Sequence, residues 1–281
     1  MAEFTQNKIA LVYDFDGTLS PEPMQHYGVL PAIGIPGTDF WADVKKKKTT
    51  EKAEELIVYM KEMIDLAAEK GVPLNREAFK THGAEIKLFD GVDTWFSRIN
   101  EFVASLSKHV EVEHYIISAG LKEMILGSSI AGCFKEIYAC EFRYNEEGKP
   151  YWPARIISDT SKTQYLFRIN KGVLDVNESI NSHMPREGRR IPFDDMIYFG
   201  DGDTDVPSMA VMMQNGGHSI AVHSPDGSSE KCMALKKARR IDFFAAADYR
   251  EGSELDELVK STLKVIVDRI LLREQISQLK R

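Results

Sequence analysis

The segment Lys8-Ile-Ala-Leu-Val-Tyr-Asp14 constrains this chain most. Its apolar run is nearly continuous, rich in β-branched and aromatic residues, and it stops at a carboxylate. A strand with no polar face is buried on both faces, as in a parallel sheet covered by helices. An acid at the end of such a strand lies at the carboxyl edge of the sheet, where α/β proteins bind ligands.

Later segments repeat this design. Val112 to Ile117 ends in Ser118-Ala119-Gly120, and Met196 to Phe199 ends in Gly200-Asp-Gly-Asp-Thr-Asp205. Ser219 to Val222 is a further strand, and Ile241 to Phe244 a weaker one. Helical patterns cover 92–108, 120–127, 160–171, 204–213 and 253–280. Strands alternating with helices predict βαβ units and an α/β fold with a parallel sheet. Residues 135–157 predict a β-hairpin, and 173–195, polar and arginine-rich, a surface insertion.

Residues 20–90 break the alternation. Pro21, Pro23, Pro31 and Pro36 predict a loop-rich opening. Thr50 to Lys70 predicts a helix with Leu56, Met60, Met63, Leu66 and Ala67 on one face, capped by Thr49 or Thr50 and ended by Gly71-Val-Pro73. This stretch is expected to be a helical cap inserted into a core formed by 1–19 and 91–281. The run Lys45 to Lys48 is expected to be a solvated helix face. In the last helix, Leu255, Val259, Leu263, Ile266 and Ile270 form a stripe expected to pack on the core. A homodimer through that helix is the alternative use of it.

The bulk numbers narrow the function. A length of 281 residues suits one large domain, or a core with a smaller accessory domain. A net charge of −7 lacks the basic excess of a nucleic-acid binder. The three cysteines, Cys133, Cys140 and Cys232, lack zinc-site spacing and fit a reducing compartment. The apolar run near the N-terminus is too short for a signal peptide or a membrane span, so a cytoplasmic protein is expected.

The acids carry the chemistry. Asp14 and Asp16 are separated by one residue, so in extended chain both side chains point to the same side, and Gly17 permits an abrupt turn after them. Asp201, Asp203 and Asp205 follow another strand. Such a concentration of carboxylates needs a cation, and oxygen donors favour Mg²⁺ over zinc. Ser118 with the amides of Ala119 and Gly120, at an expected helix start, suits a phosphate. Lys162, near the start of a helix, is a candidate to neutralise phosphate and nucleophile; Lys171, at the end of the same helix, is its rival.

These segments, in this order, resemble the haloacid dehalogenase superfamily, and the layout is most similar to its phosphoserine phosphatase branch. Asp14 to Thr18 matches the D-x-D-G-T motif, Ser118 the hydroxyl of the second motif, Lys162 the third, and Gly200 to Asp205 the G-D-G-x-x-D fourth motif. The resemblance covers about 8–222 and implies a Rossmann-like core. Two departures stand out. Many members of the branch carry Asn where this chain has Thr204, and the polar insertion lengthens the stretch from Lys162 to Asp201.

The resemblance implies a Mg²⁺-dependent phosphatase acting on a small phosphorylated metabolite. Asp14 would be the nucleophile and Asp16 the acid and base. Asp14, Asp201 and the backbone carbonyl of Asp16 would hold the metal. Asp205 would orient metal-bound water or Lys162, and Ser118, Ala119, Gly120 and Lys162 would bind phosphate. An acid at position 16 separates ester hydrolysis from dehalogenation, because halide leaves without a proton. Phosphoryl transfer on the same fold and non-catalytic binding of a phospho-ligand remain as alternatives. Phosphoserine is the expected substrate, and Glu22, Met24, His26, Tyr27 and Trp41 are candidates for reading it.

Overall fold

The computed structural model describes residues 5–279. Glu3, at the N-terminus, and residue 280 of the expected terminal helix fall outside that range. A sheet of seven strands runs in the order β4-β3-β2-β1-β5-β6-β7. The strands are β1 (Lys8–Tyr13), β2 (Glu111–Leu121), β3 (Glu136–Tyr144), β4 (Pro150–Arg155), β5 (Met196–Gly200), β6 (His218–His223) and β7 (Phe243–Ala246). All neighbours pair in parallel except β3 and β4, which form the antiparallel hairpin. Ile9 to Tyr13 are fully buried, as a central strand of a covered sheet must be.

The chain order decides where a ligand belongs. From β1 the chain builds outward to β2 and β3, then returns to place β5 on the other side of β1. The gap between β1 and β5 is therefore the topological switch point of the sheet, and its carboxyl edge is a crevice.

Helices flank the sheet. They are α1 (Val29–Ile33), α2 (Gly37–Glu51), α3 (Glu55–Glu69), α4 (Arg76–Gly83), α5 (Val92–Leu106), α6 (Lys122–Gly127), α7 (Lys162–Lys171), α8 (Val206–Gln214), α9 (Glu230–Lys237) and α10 (Glu254–Leu279). The stripe Leu255, Val259, Leu263, Ile266 and Ile270 of α10 is buried against the core. Val265, Leu272, Ile276 and Leu279 of α10 are exposed.

Two local expectations are corrected. The helix placed at 50–70 is two helices, with a break at residues 52–54. Thr49 and Thr50 cap nothing. Their hydroxyls donate back to the carbonyls of Lys45 and Lys46 at 2.9 and 3.1 Å, so they close the last turn of α2. Lys52, in the left-handed region, then ends that helix. The second correction concerns Ser118. The strand continues through Ser118-Ala-Gly120 to Leu121, with a register shift against β3 between Ile117 and Leu121, and the helix begins only at Lys122. The loop is a strand irregularity, not a helix start.

Candidate active site

The site assembles where β1 and β5 end side by side. The amide of Asp14 donates to the carbonyl of Phe199 at 2.9 Å, fixing the head of β1 against β5. Asp14 Oδ1 accepts from the amide of Phe15 at 2.7 Å, and Oδ2 lies 2.9 Å from Lys162 Nζ. Lys162 also donates to Asp205 Oδ1 at 2.8 Å and is wholly buried. Tyr198 donates to that same oxygen at 2.6 Å, and the amide of Gly202 reaches Asp205 Oδ2 at 3.3 Å. Carboxylate oxygens of Asp14, Asp201 and Asp205 lie within 4.8 Å of one another.

Gly17 is required for this approach. Its φ is +75°, and a Cβ there would come within 2.4 Å of Asp201 Oδ2. Asp16 turns away from the three clustered acids. Its Oδ1 accepts from the amide of Met24 at 2.9 Å. Met24 also lies against the Ser118 loop. Its sulfur accepts from the amide of Leu121 at 3.2 Å, and a Cβ on Gly120 would meet its methyl group at 2.1 Å. The amide of Gly120 donates to Ser118 Oγ at 3.0 Å, and Tyr59 of α3 donates to the carbonyl of Ala119 at 3.0 Å. The 20–90 segment thus touches both the second acid and the hydroxyl loop.

Of the rival lysines, geometry brings Lys162 to Asp14. Lys171 instead donates to the carbonyls of Ile180 and Ser182 and ties down the polar insertion.

Residues 11–210 match the haloacid dehalogenase-like hydrolase family. The chain belongs to the haloacid dehalogenase-like hydrolases. An uncharacterized protein of Borreliella burgdorferi is 29% identical over 276 residues, covering 89% of this chain and 94% of that one. Among solved structures, a HAD family hydrolase of Salmonella enterica serovar Typhi superposes with a TM-score of 0.57 at 13% identity, covering 90% of this chain and 70% of that one. A phosphoserine phosphatase with bound substrate gives 0.55 at 16% identity, covering 90% and 98%. The phosphoserine phosphatase of T. onnurineus gives 0.50 at 15% identity, covering 92% and 98%. At these identities the structural likeness establishes the fold.

The site of this family member is short of positive charge. Burial, and after it the neighbouring acids, pushes Asp14 up to about 7 and Asp201 up to about 6, against the pull of Lys162. Burial likewise holds Asp16 well above the usual carboxylate range. Burial works against the Lys162 ammonium too, but Asp14 and Asp205 outweigh it and keep it charged. A hard divalent cation fits this surplus of oxygen donors.

Beside the acids lies a cavity of about 440 Å³, lined by Lys48, Glu54, Glu55, Leu56, Ala119, Ser158, Asp159, Thr160, Lys162 and Thr204. Sequence reasoning missed most of these residues. Lys48 belongs to the run read as a solvated face; its ammonium pairs with Glu55 across the break between α2 and α3. Lys47 pairs with Asp43 and Glu62. Tyr198 was hidden inside an apolar run, where no pattern marks a hydroxyl. The expected substrate readers Glu22, His26 and Trp41 bond to one another instead: Trp41 Nε1 donates to His26 Nε2 at 2.9 Å, and His26 Nδ1 lies 3.3 Å from Glu22.

Proposed function

We propose that this chain is a Mg²⁺-dependent phosphatase that hydrolyses a small phosphomonoester through an aspartyl-phosphate. The observation that carries the reading is the cluster of buried acids around Lys162 at the switch point, with Asp14 at the head of β1.

Asp14, once ionised, needs no base to act as a nucleophile toward phosphorus. Lys162 holds it in place and offsets the charge gathering on the phosphoryl oxygens. Asp16, held by the amide of Met24, donates a proton to the leaving oxygen and then takes one from the attacking water. The amides of Ala119 and Gly120 and the Ser118 hydroxyl bind phosphoryl oxygens, which requires Gly120 to release Ser118 Oγ. Asp14, Asp201 and the Asp16 carbonyl would hold Mg²⁺, with Asp205 orienting its water or Lys162. Bound there, the ion screens the nucleophile from the phosphate and stabilises charge on the transferred group.

The cavity supports a substrate that carries an ammonium group. Its wall carries Glu54, Glu55 and Asp159 together with Lys48 and Lys162, acids and cations side by side, which suits a zwitterionic phosphomonoester such as phosphoserine.

A panel of small phosphomonoesters, assayed for released phosphate with and without Mg²⁺, tests the reading. Hydrolysis is expected to need the metal, and Asp14→Asn to lower kcat by about 10³-fold or more. Metal-independent or mutation-insensitive release would refute the mechanism. Consumption of the ester only when an alcohol acceptor is supplied, with no free phosphate released, would reassign the chain to phosphoryl transfer.

A further inference from the structure

Tyr198 stands in the middle of β5, in register with Val12 of β1 and Ser219 of β6, and is fully buried. A tyrosine there must find a partner for its hydroxyl or bear the cost of an unsatisfied polar group. Its partner is Asp205 Oδ1, at 2.6 Å. The same oxygen takes the Lys162 ammonium at 2.8 Å, and that ammonium lies 2.9 Å from Asp14. A chain of contacts therefore runs from the sheet interior through Asp205 and Lys162 to Asp14.

We infer that Tyr198 is a positioning residue, which fixes the Asp205 carboxylate so that it aims Lys162 at Asp14. The geometry of Asp205 supports this. With Gly202 on Oδ2 and Tyr198 on Oδ1, the carboxylate is held at both ends and cannot rotate without losing a bond. Lys162, on a long flexible stem, takes its direction from the anions around it. Removing the Tyr198 hydroxyl leaves Asp205 Oδ1 held by Lys162 alone, so that carboxylate and ammonium draw together and the ammonium moves away from Asp14. Phenylalanine keeps the ring and its packing, so the change isolates the hydroxyl. Tyr198 does not reach the substrate, and its influence should fall on turnover, not on binding.

The inference rests on the phosphatase reading for its kinetic test, and a second measurement makes it independent of turnover. Kinetics would be measured for wild type, Tyr198→Phe, Asp205→Asn and the double variant on a small phosphomonoester with Mg²⁺. Tyr198→Phe is expected to lower kcat about tenfold, the loss of one hydrogen bond to a charged group, with KM within about twofold. In the Asp205→Asn background the same change should cost less than about twofold, because the charge on Asp205 that aims Lys162 is gone. Replacing Tyr198 by 4-aminophenylalanine, which restores a donor, should recover most of the loss. Full activity of Tyr198→Phe, or an equal loss in both backgrounds, would overturn the inference.

The second measurement is the ¹⁵N signal of the Lys162 ammonium in the resting protein, assigned by its loss in Lys162→Met. It should move in Tyr198→Phe; an unmoved signal would overturn the positioning role. A wild type without turnover would remove the phosphatase reading alone, and the ammonium signal would still decide Tyr198.

Discussion

The two edges of the parallel sheet treat their acids in opposite ways. At the amino edge each acid named here has an arginine or a lysine. Glu113 pairs with Arg190, Asp195 with Arg273, Asp194 with Arg186 at 3.1 Å, and Glu111 with Lys8. At the carboxyl edge Asp14, Asp201 and Asp205 cluster, with the Lys162 ammonium on Asp14 and Asp205, and Asp16 is held by the amide of Met24. The Arg190 fork settles Glu113 below the usual carboxylate range, although its burial pulls the other way, whereas burial drives Asp14 and Asp201 above it; at the amino edge burial also raises Asp195, to about 6, against the pull of Arg273. Charge matched by the protein's own side chains serves the fold. Charge left unmatched in a crevice makes room for something that is not protein.

The largest test of this contrast is Lys162→Met. It should lower kcat by about 10²-fold or more, since both the aim of Asp14 and the screening of phosphate depend on that ammonium. If turnover survived, the carboxyl edge would be no different in kind from the amino edge.

Arg273→Met probes the other side. Asp195 is fully buried, and its guanidinium partner is partly exposed. Leaving that carboxylate alone is expected to cost about 2 kcal/mol of stability in urea unfolding, while kcat/KM stays within about twofold. A loss of kcat without loss of stability would dissolve the distinction between the edges.

The smallest effect concerns pH. Burial raises the folded-state proton affinity of Asp14 to about 7 and of Asp201 to about 6, above that of an unfolded carboxylate. The folded metal-free protein therefore binds more protons than the unfolded chain, and its stability falls as pH rises through that window. Mg²⁺ should offset this at the alkaline end, so the Tm rise it gives is expected to be larger near about pH 8 than near about pH 5. An equal rise at both would mean that the ion does not meet these acids.

Much of this was legible in the chain. The β1 run ended where its apolar character stopped, because a buried parallel strand tolerates no polar face and a charge ends it. The same logic placed β2, β5 and β6, and with β2 and β5 Ser118 and Asp201. The 20–90 segment was read less well. Its helices are short and amphipathic, and Thr49 and Thr50 look alike whether they cap a helix or bond back to one; only the left-handed Lys52 separates the cases. The Ser118 loop was misplaced on a helix because a strand irregularity leaves no periodic trace.

The sequence by itself determined the class of fold and the acids at the strand ends, since burial and charge are local properties of residue type and spacing. Only the tertiary structure decided which groups meet. Strand order put Asp14 beside Asp201, across more than half the chain. Packing set Lys162, not Lys171, between Asp14 and Asp205, and it laid Met24, Tyr59 and Lys48 of residues 20–90 along the site. Contacts between residues so distant in sequence come from the packing of whole elements, and no local pattern encodes them.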